Sequence, residues 1–372
     1  MKKIERRTLV CLALALCLAA GVCVFIGKYL LYGGSWASSA FNRHLYNTDG
    51  QLSSGTVLDR DGDVLSTVTD DGKRTYYDNV DVRKATLHAV GDLQGNIGTG
   101  ALNAFADKLT GYNLLNGAFG ADAGSDLYLT IDARYNYEAY QALGGHAGTV
   151  AVYNYKTGEI LCMVSAPSYD PMNVPADIET NDRYKGAYIN RFLSSTFTPG
   201  SIYKTVTLMA ALEEIPDLTQ RTWTCEGSVQ IGEETIICSG THGQQNIGDA
   251  FANSCNVAFA QIAAELGADT MQKYTEQAGL TDSYSVNGLP TAVGSFQWEG
   301  ITDGQLGWAG VGQGQDQVNP CAMMVYIGAI ASGGKAAEPY LIEKTVSALG
   351  LPSLPHFTKK TGRLIASDTA AT

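Results

Sequence analysis

The sequence predicts an α+β protein that begins with one membrane-spanning helix, and three kinds of segment support this. An uncharged apolar run covers Thr8–Ile26. Two short segments rich in strand-forming residues, Thr149–Tyr153 and Glu159–Val164, flank a turn and indicate a β-hairpin. Apolar runs after the Pro-Gly turn at 199–200 and after Pro320 indicate helices. A hairpin followed by several helices is typical of the α+β class.

The apolar run near the N-terminus is long enough to cross a bilayer as a helix. Four cations precede it, and this predicts a cytoplasmic N-terminus with the rest of the chain outside; they are Lys2, Lys3, Arg6 and Arg7. The alternative is a cleaved signal peptide, with residues 38–40 (Ser-Ser-Ala) as the cleavage site. The run is longer than a usual signal-peptide core, and residues 28–32 resemble an interfacial belt. The sequence therefore favours an uncleaved anchor over residues 1–32.

Length and charge narrow the class of protein. The chain has 372 residues, of which 45% are hydrophobic, and this length allows two or three domains. Its formal net charge is −12. An acidic chain argues against nucleic acid as a partner. We predict an N-terminal non-catalytic module over 33–145, which holds the rest away from the membrane, and a larger domain over 146–372.

The predicted elements of the N-terminal module are short. They are a hairpin over Gly55–Leu65 with an Asp-Gly turn, a glycine-rich loop over Leu87–Gly100, a helix over Ala101–Leu109, a strand over Asp126–Asp132 and a helix over Tyr135–Leu143. No constellation of catalytic residue types occurs among them.

The larger domain opens with the β-hairpin at 149–164 and continues mainly with helices. Later elements are a hairpin within Glu226–Ile237, helices over Asn246–Ala252 and Val257–Leu266, a glycine-rich loop over Gly307–Gly314, a helix over Pro320–Ile330 and an extended segment over Pro339–Val346.

Ser201 and Lys204 are the strongest candidates for chemistry. They lie at the start of the helix after Pro199-Gly200, and their spacing of three puts both side chains on one face. A serine hydroxyl needs a base, and a lysine can be that base where burial or neighbouring cations lower its pKa. Ser-x-x-Lys also occurs by chance, so this pattern alone is weak.

Ser254 and Asn256 form a second candidate pair between two predicted helices. A serine here could relay a proton, and an asparagine amide could hold both the lysine and the substrate. The alternative is an ordinary turn, because Ser and Asn favour turns.

Five cysteines lie beyond the three of the apolar run, which are Cys11, Cys17 and Cys23. Cys225 and Cys238 bracket the hairpin predicted within Glu226–Ile237, and an extracellular setting allows either a disulfide or two free thiols there. No Cys/His spacing indicates a zinc site. His242 has no second histidine nearby and is predicted to be structural.

Taken together, these motifs resemble those of the class B penicillin-binding proteins, the membrane-anchored D,D-transpeptidases of peptidoglycan synthesis. The resemblance is carried almost end to end by an ordered set of segments. They are Thr130-Ile131-Asp132, 156–161, 165–171, Pro199-Gly200-Ser201-x-x-Lys204, His242-Gly243, Asn253-Ser254-Cys255-Asn256, Gly312-Gln313-Gly314 with Asn319-Pro320, and Gly333-Gly334.

The resemblance implies a role for each candidate. Ser201 would be the acylated nucleophile, Lys204 its base, Ser254 the proton relay, and Asn256 a contact to substrate and lysine. Gly312, Gln313 and Gly314 would contribute to substrate binding.

It also implies the fold and the ligands. The catalytic domain would carry a five-stranded antiparallel sheet flanked by helices. The enzyme would cross-link stem peptides in cell-wall synthesis, during division or elongation, and β-lactams would acylate Ser201 as substrate mimics. A membrane glycosyltransferase is an implied partner, and no metal or organic cofactor is implied.

The sequence differs from the family at the third motif, which is Lys-Thr-Gly on a strand. Lys156-Thr157-Gly158 lies in a predicted turn before Ser201, and Lys360-Thr361-Gly362 precedes a predicted helix. We expect neither copy to be that motif, and we expect a chain truncated before it and of little activity. The competing hypotheses are a carboxypeptidase or β-lactamase-like hydrolase, and a non-catalytic β-lactam-binding scaffold or sensor.

Overall fold

The structure is a computed structural model, and it describes residues 2–37, 55–69, 71, 73–109, 124–347 and 350–372. The signal-peptide cleavage site considered at residues 38–40 lies outside the described residues. The helices are α1 (Lys2–Ala37), α2 (Val80–Val90), α3 (Ala101–Ala104), α4 (Ala106–Leu109), α5 (Ala133–Leu143), α6 (Arg191–Ser194), α7 (Lys204–Glu214), α8 (Ile247–Ala252), α9 (Asn256–Leu266), α10 (Ala268–Gln277), α11 (Asp303–Gly310), α12 (Pro320–Ala331) and α13 (Ser367–Ala371).

The strands are short, and most pair with a neighbour in the chain. They are β1 (Thr56–Leu58), β2 (Val64–Val68), β3 (Arg74–Tyr76), β4 (Asp126–Leu129), β5 (Gly148–Tyr153), β6 (Ile160–Ala166), β7 (Trp223–Cys225), β8 (Ser228–Ile231), β9 (Glu234–Ile237), β10 (Gly243–Gln245), β11 (Ser285–Val286), β12 (Leu289–Pro290) and β13 (Ile342–Val346).

The chain divides into two compact units, and neither is continuous in sequence. The first contains 1–78, 90–129 and 344–354, and the second contains 79–89, 130–343 and 355–372. The domain borders predicted after residues 32 and 145 refer to continuous segments, and they stay predictions.

The first unit holds α1 and most of a five-stranded sheet, whose strand β13 begins two residues before the segment 344–354. Within α1, the stretch Arg7–Tyr29 has a mean hydropathy of 3.0 and is long and apolar enough to cross a membrane. The sheet has the strand order β13-β4-β1-β2-β3, in which β1 pairs antiparallel with β2 and parallel with β4. The predicted β1–β2 hairpin is confirmed. The helix predicted over 101–109 is interrupted at Phe105, and the loop predicted from Leu87 begins only after α2 ends at Val90.

The second unit is built on the predicted antiparallel hairpin, β5–β6, which is confirmed. Six residue pairs join its strands, from Gly148–Ala166 to Tyr153–Ile160, and α5 and α6 pack against it. Within the described residues this sheet has two strands, whereas the resemblance implied five. The mixed five-stranded sheet described above is a separate sheet.

Helix α9 lies at the centre of the second unit's core and contacts α7, α10 and α11. Its buried side chains are those of Val257, Ala258, Phe259, Ala260, Ile262 and Ala263. A continuous apolar run with so few polar positions is typical of a helix that is buried on most sides.

The prediction of a loop over 307–314 is wrong in its first half, because α11 continues to Gly310. Gly304, Gly307 and Gly310 are three apart and so share one face of α11. A Cβ at Gly307 would approach Ala260, and one at Gly310 would overlap Ala263. These glycines therefore allow close contact between α11 and α9, and a local sequence pattern does not distinguish this use of glycine from a loop.

We expect Gly310→Ala to destabilise the protein by about 1–2 kcal/mol, although alanine favours helices more than glycine does. The reason is the overlap of the new methyl group with Ala263. Thermal unfolding with the variant Gly362→Ala as control measures this. A Cβ at Gly362 has no neighbour within 4 Å, so the control should be neutral. A neutral or stabilising Gly310→Ala would contradict the packing argument.

Candidate active site

Ser201 lies in a single 3₁₀ turn, Gly200–Tyr203, that leads directly into α7. Gly200 has a φ of +61°, which glycine adopts without strain. Ser201 is exposed, whereas Tyr203 and Lys204 are buried. The turn thus presents the serine hydroxyl at the surface while the lysine points into the protein.

The amine of Lys204 lies among three of the residues that the sequence singled out. Its Nζ is 3.1 Å from Ser201 Oγ, 3.0 Å from Ser254 Oγ, 2.7 Å from the backbone oxygen of Ser254 and 2.6 Å from Asn256 Oδ1. The structure therefore brings the four predicted catalytic residues into one hydrogen-bonded group. Their roles in a reaction stay predictions.

Burial decides the electrostatics of this group. Lys204 is 1% exposed, and its burial lowers the pKa of the amine, while the nearby sulfurs of Cys238 and Cys255 act in the opposite direction. In its neutral form, the amine has two N–H donors and one lone pair. The Ser254 carbonyl and Asn256 Oδ1 can only accept, so they take the two N–H groups. The lone pair is then free to accept the hydroxyl proton of Ser201, which is the arrangement of a base beside a nucleophile.

The loop between α8 and α9 positions Ser254 and Asn256. Ser254 has a φ of +51°, a left-handed conformation that is uncommon outside glycine. The backbone N–H groups of Ser254 and Cys255 donate to the carbonyls of Phe251 and Ala250, at 3.0 and 2.9 Å. Asn256 donates its side-chain amide to the carbonyl of Ile237 at 2.9 Å, so its oxygen is turned towards Lys204.

The predicted substrate-binding residues Gly312, Gln313 and Gly314 follow α11 and lie beside the nucleophile turn. The N–H of Gly200 donates to the carbonyl of Gly312 at 2.8 Å, and a Cβ at Gly312 would overlap the Gly200 carbonyl. Gln313 and Gly314 line a pocket of about 500 Å³ together with Asp316, whose pKa burial raises to about 7. Their contact with a substrate stays a prediction.

Asn319 supports the site in a way that the sequence analysis did not identify. Its side-chain amide, fully buried, donates to the carbonyls of Phe192, Leu193 and Ser195 at 3.2, 3.1 and 2.8 Å. Its Oδ1 accepts the N–H groups of residues 321 and 322 at the start of α12. The sequence signal was an Asn directly before a Pro, which is typical of a helix N-cap. The contacts to the segment before Ser201 have no local signal.

Cys225 and Cys238 are free cysteines in this structure, so the disulfide that the sequence allowed is not formed. They belong to a cluster with Cys255 and His242 in which the ligand-type atoms all lie within 4.8 Å of one another. Burial raises the pKa of Cys238, but N–H groups of Asn256 and neighbouring residues outweigh it and bring the pKa to about 6. His242 Nδ1 is 3.5 Å from Cys238 Sγ, and the structural role expected of His242 stays a prediction.

The two Lys-Thr-Gly copies lie outside this group of contacts. Lys156-Thr157-Gly158 forms the turn between β5 and β6, as the sequence indicated. Lys360 forms an isolated antiparallel bridge with Ala337, and the predicted helix follows as α13.

Comparisons with known proteins identify relatives of this chain. A model of the penicillin-binding protein transpeptidase domain matches residues 148–371, more than half of the chain. The peptidoglycan D,D-transpeptidase PbpA of Mycolicibacterium smegmatis is 29% identical over 265 residues, which are 65% of this chain and 53% of the relative. The chain thus spans about half the length of this curated relative.

Solved structures show the same fold. The D,D-transpeptidase domain of a peptidoglycan glycosyltransferase from Eggerthella lenta is 27% identical, with a TM-score of 0.73 over 85% of this chain and 78% of that one. Penicillin-binding protein A of M. tuberculosis, in a penicillin G acyl-enzyme complex, has a TM-score of 0.74 at 23% identity, over 86% and 80%.

We expect Asn319→Ala to destabilise the protein by about 2–4 kcal/mol, because it leaves buried carbonyls and N–H groups without partners. Asn246→Ala is the matched control. Asn246 also caps a helix, α8, but it is exposed and accepts one bond, from the N–H of Asp249 at 2.9 Å, so its loss should cost about 1 kcal/mol. Denaturant unfolding compares the two variants. Equal losses would contradict a bridging role for Asn319.

Proposed function

The chain belongs to the family of penicillin-binding protein transpeptidase domains, and on this basis we propose that it is a membrane-anchored peptidoglycan D,D-transpeptidase of the class B type. One observation carries the proposal. The buried amine of Lys204 lies within 3.1 Å of the exposed Ser201 hydroxyl and is held by Ser254 and Asn256. Family membership supports the type of reaction, and this geometry supports Ser201 as the nucleophile and Lys204 as its base.

In the proposed reaction, Ser201 Oγ attacks the carbonyl carbon of the terminal D-Ala-D-Ala bond of a stem peptide while Lys204 takes the hydroxyl proton. The bond to the last D-Ala breaks, and its nitrogen receives a proton through Lys204 and Ser254, whose Oγ is 3.0 Å from the amine. An ester between the peptide and Ser201 remains. An amine of a neighbouring strand attacks the ester carbonyl carbon and gives a proton to Lys204. The bond between this carbon and Ser201 Oγ breaks, the cross-linked amide leaves, and Lys204 returns the proton to Ser201.

A β-lactam would follow the first half of this path. Its ring amide replaces the D-Ala-D-Ala bond, and ring opening leaves an ester on Ser201. Because the leaving nitrogen stays attached to the acyl group, the ester would persist, which makes labelled penicillin a direct probe of the site.

The proposed location follows from α1. Its stretch Arg7–Tyr29 would cross the membrane, and the lysines and arginines that precede or begin the stretch favour a cytoplasmic N-terminus. The second unit would then act outside, where peptidoglycan is cross-linked. A membrane glycosyltransferase that supplies new glycan strands would be the natural partner of such an enzyme.

We expect fluorescent penicillin to label the full-length wild-type protein and not Ser201→Ala. Lys204→Ala should slow labelling by about 10²–10⁴-fold, the usual contribution of a general base. In-gel fluorescence over time measures both.

Thr205→Ala is the control for these variants. Thr205 lies next to Lys204 in the chain, but its hydroxyl donates to the carbonyl of Ile202 and not to the lysine group. It should label at the wild-type rate. Labelling of Ser201→Ala as fast as wild type would show that Ser201 is not the nucleophile.

We further expect an added amine acceptor to divert the acyl group from water. With a D-Ala-D-Ala donor peptide, release of D-Ala should continue while the hydrolysed product falls and the amide product rises in proportion. Chromatography of the products measures the ratio. If water remains the sole acceptor at every amine concentration, the protein is a carboxypeptidase-like hydrolase. If penicillin binds but no peptide is turned over, it is a sensor.

A further inference from the structure

Three cysteines and one histidine meet directly behind the loop that carries Ser254 and Asn256. Cys225 ends β7, Cys238 follows β9, His242 precedes β10, and Cys255 precedes α9. Cys225 and Cys255 are buried and Cys238 is partly buried. Four separate segments thus contribute one ligand-type atom each to a single cluster.

Two of the separations between these atoms are close to those of a tetrahedral metal site. Zinc binds thiolate sulfur at about 2.3 Å and imidazole nitrogen at about 2.0–2.1 Å, which places two sulfurs about 3.8 Å apart and a sulfur and a nitrogen about 3.6 Å apart. Here Cys238 Sγ is 3.9 Å from Cys255 Sγ and 3.5 Å from His242 Nδ1. All four atoms lie within 4.8 Å of one another.

We propose that Cys225, Cys238, Cys255 and His242 bind one Zn²⁺ in a closed, structural site. Three sulfurs and one nitrogen are a common ligand set of structural zinc, and four protein ligands leave no position for a substrate. Each thiol that binds gives up its proton, and the neutral imidazole binds through Nδ1. A disulfide would use only two of the three sulfurs and would leave the third thiol and the imidazole without a role.

The site would add a cross-link to two small sheets that pack against α9 and α11. β8–β9 and β7–β10 are separate two-stranded sheets with strands of three or four residues, and such pairs are marginal in isolation. The metal would join the end of β7, the end of β9 and the start of β10 to the start of α9.

The same site would position the proposed catalytic residues. Cys255 lies between Ser254 and Asn256 in the chain, and the backbone N–H of Asn256 donates to Cys238 Sγ at 3.3 Å. Asn256 also donates its side-chain amide to the carbonyl of Ile237, the neighbour of Cys238. A zinc ion bound to Cys238 and Cys255 would therefore fix the two groups that hold Lys204. This consequence rests on the proposed function, whereas the metal site does not.

The test is the zinc content of the full-length protein, purified in detergent with reductant after growth in zinc-supplemented medium. Elemental analysis by mass spectrometry should find about one zinc ion per wild-type chain and at least about tenfold less in Cys225→Ser. Cys321→Ala is the matched control, because Cys321 is also buried but lies in α12 outside the cluster, and it should retain the zinc. Wild-type protein without zinc, or equal zinc in Cys225→Ser, would overturn the proposal.

A second measurement needs only the wild-type chain and so remains valid if Cys225→Ser fails to fold. Replacement of zinc by Co²⁺ should give a thiolate-to-cobalt charge-transfer band and the intense visible bands of a tetrahedral ion. Alkylation followed by peptide mass spectrometry should find the three cluster cysteines protected until a chelator is added. A cobalt spectrum without sulfur bands, or a disulfide within the cluster, would contradict the assignment.

The link to the active site is tested separately. Chelation should slow penicillin labelling about tenfold, and added Zn²⁺ should restore it. Zinc-loaded protein that does not label would count against the proposed function and leave the metal site intact. Chelated protein that labels at the full rate would count against the link to the active site and leave the metal site intact.

Discussion

The buried amine of Lys204 is the constraint on which the rest of the site depends. An ammonium group that is 1% exposed is costly unless every N–H finds an acceptor or the group gives up its proton. In the structure, Lys204 Nζ has two oxygen acceptors at 2.7 Å or less and two hydroxyl oxygens near 3 Å. Because these acceptors come from a loop fifty residues further along the chain, the reactive geometry exists only when α7 and α9 are packed together.

That loop is itself under constraint. Ser254 adopts a left-handed conformation, which costs of order 1 kcal/mol or more and persists only where neighbouring contacts hold it. On one side, the N–H groups of Ser254 and Cys255 donate to carbonyls of α8. On the other side, the N–H of Asn256, the first residue of α9, donates to the sulfur of Cys238. The cluster of cysteines and the site of Ser201 are therefore parts of one arrangement, joined through a loop of three residues.

Local patterns predicted the elements well and the long-range contacts less well. The spacing of Ser201 and Lys204, the β5–β6 hairpin and the α8–α9 pair follow from neighbours in sequence, and the structure has each of them. The sequence predicts a loop at Gly307 and Gly310 of α11, because glycine favours loops unless a partner such as Ala263 requires close packing. Sequence patterns for zinc sites describe ligands that are a few residues apart in compact motifs. The cluster is spread from Cys225 to Cys255 and has none of those spacings.

Support for the site of Ser201 and Lys204 comes from segments that are distant in the sequence. Gly312 fits against Gly200 without a side chain, and Asn319 holds the segment that leads to Ser201. Each of these contacts joins residues more than a hundred positions apart. Preorganised groups avoid the cost of reorganisation at the moment of reaction, so rigidity in these remote supports would favour the proposed chemistry. A change far from Ser201 in sequence can therefore alter the reaction while Ser201 and Lys204 remain intact.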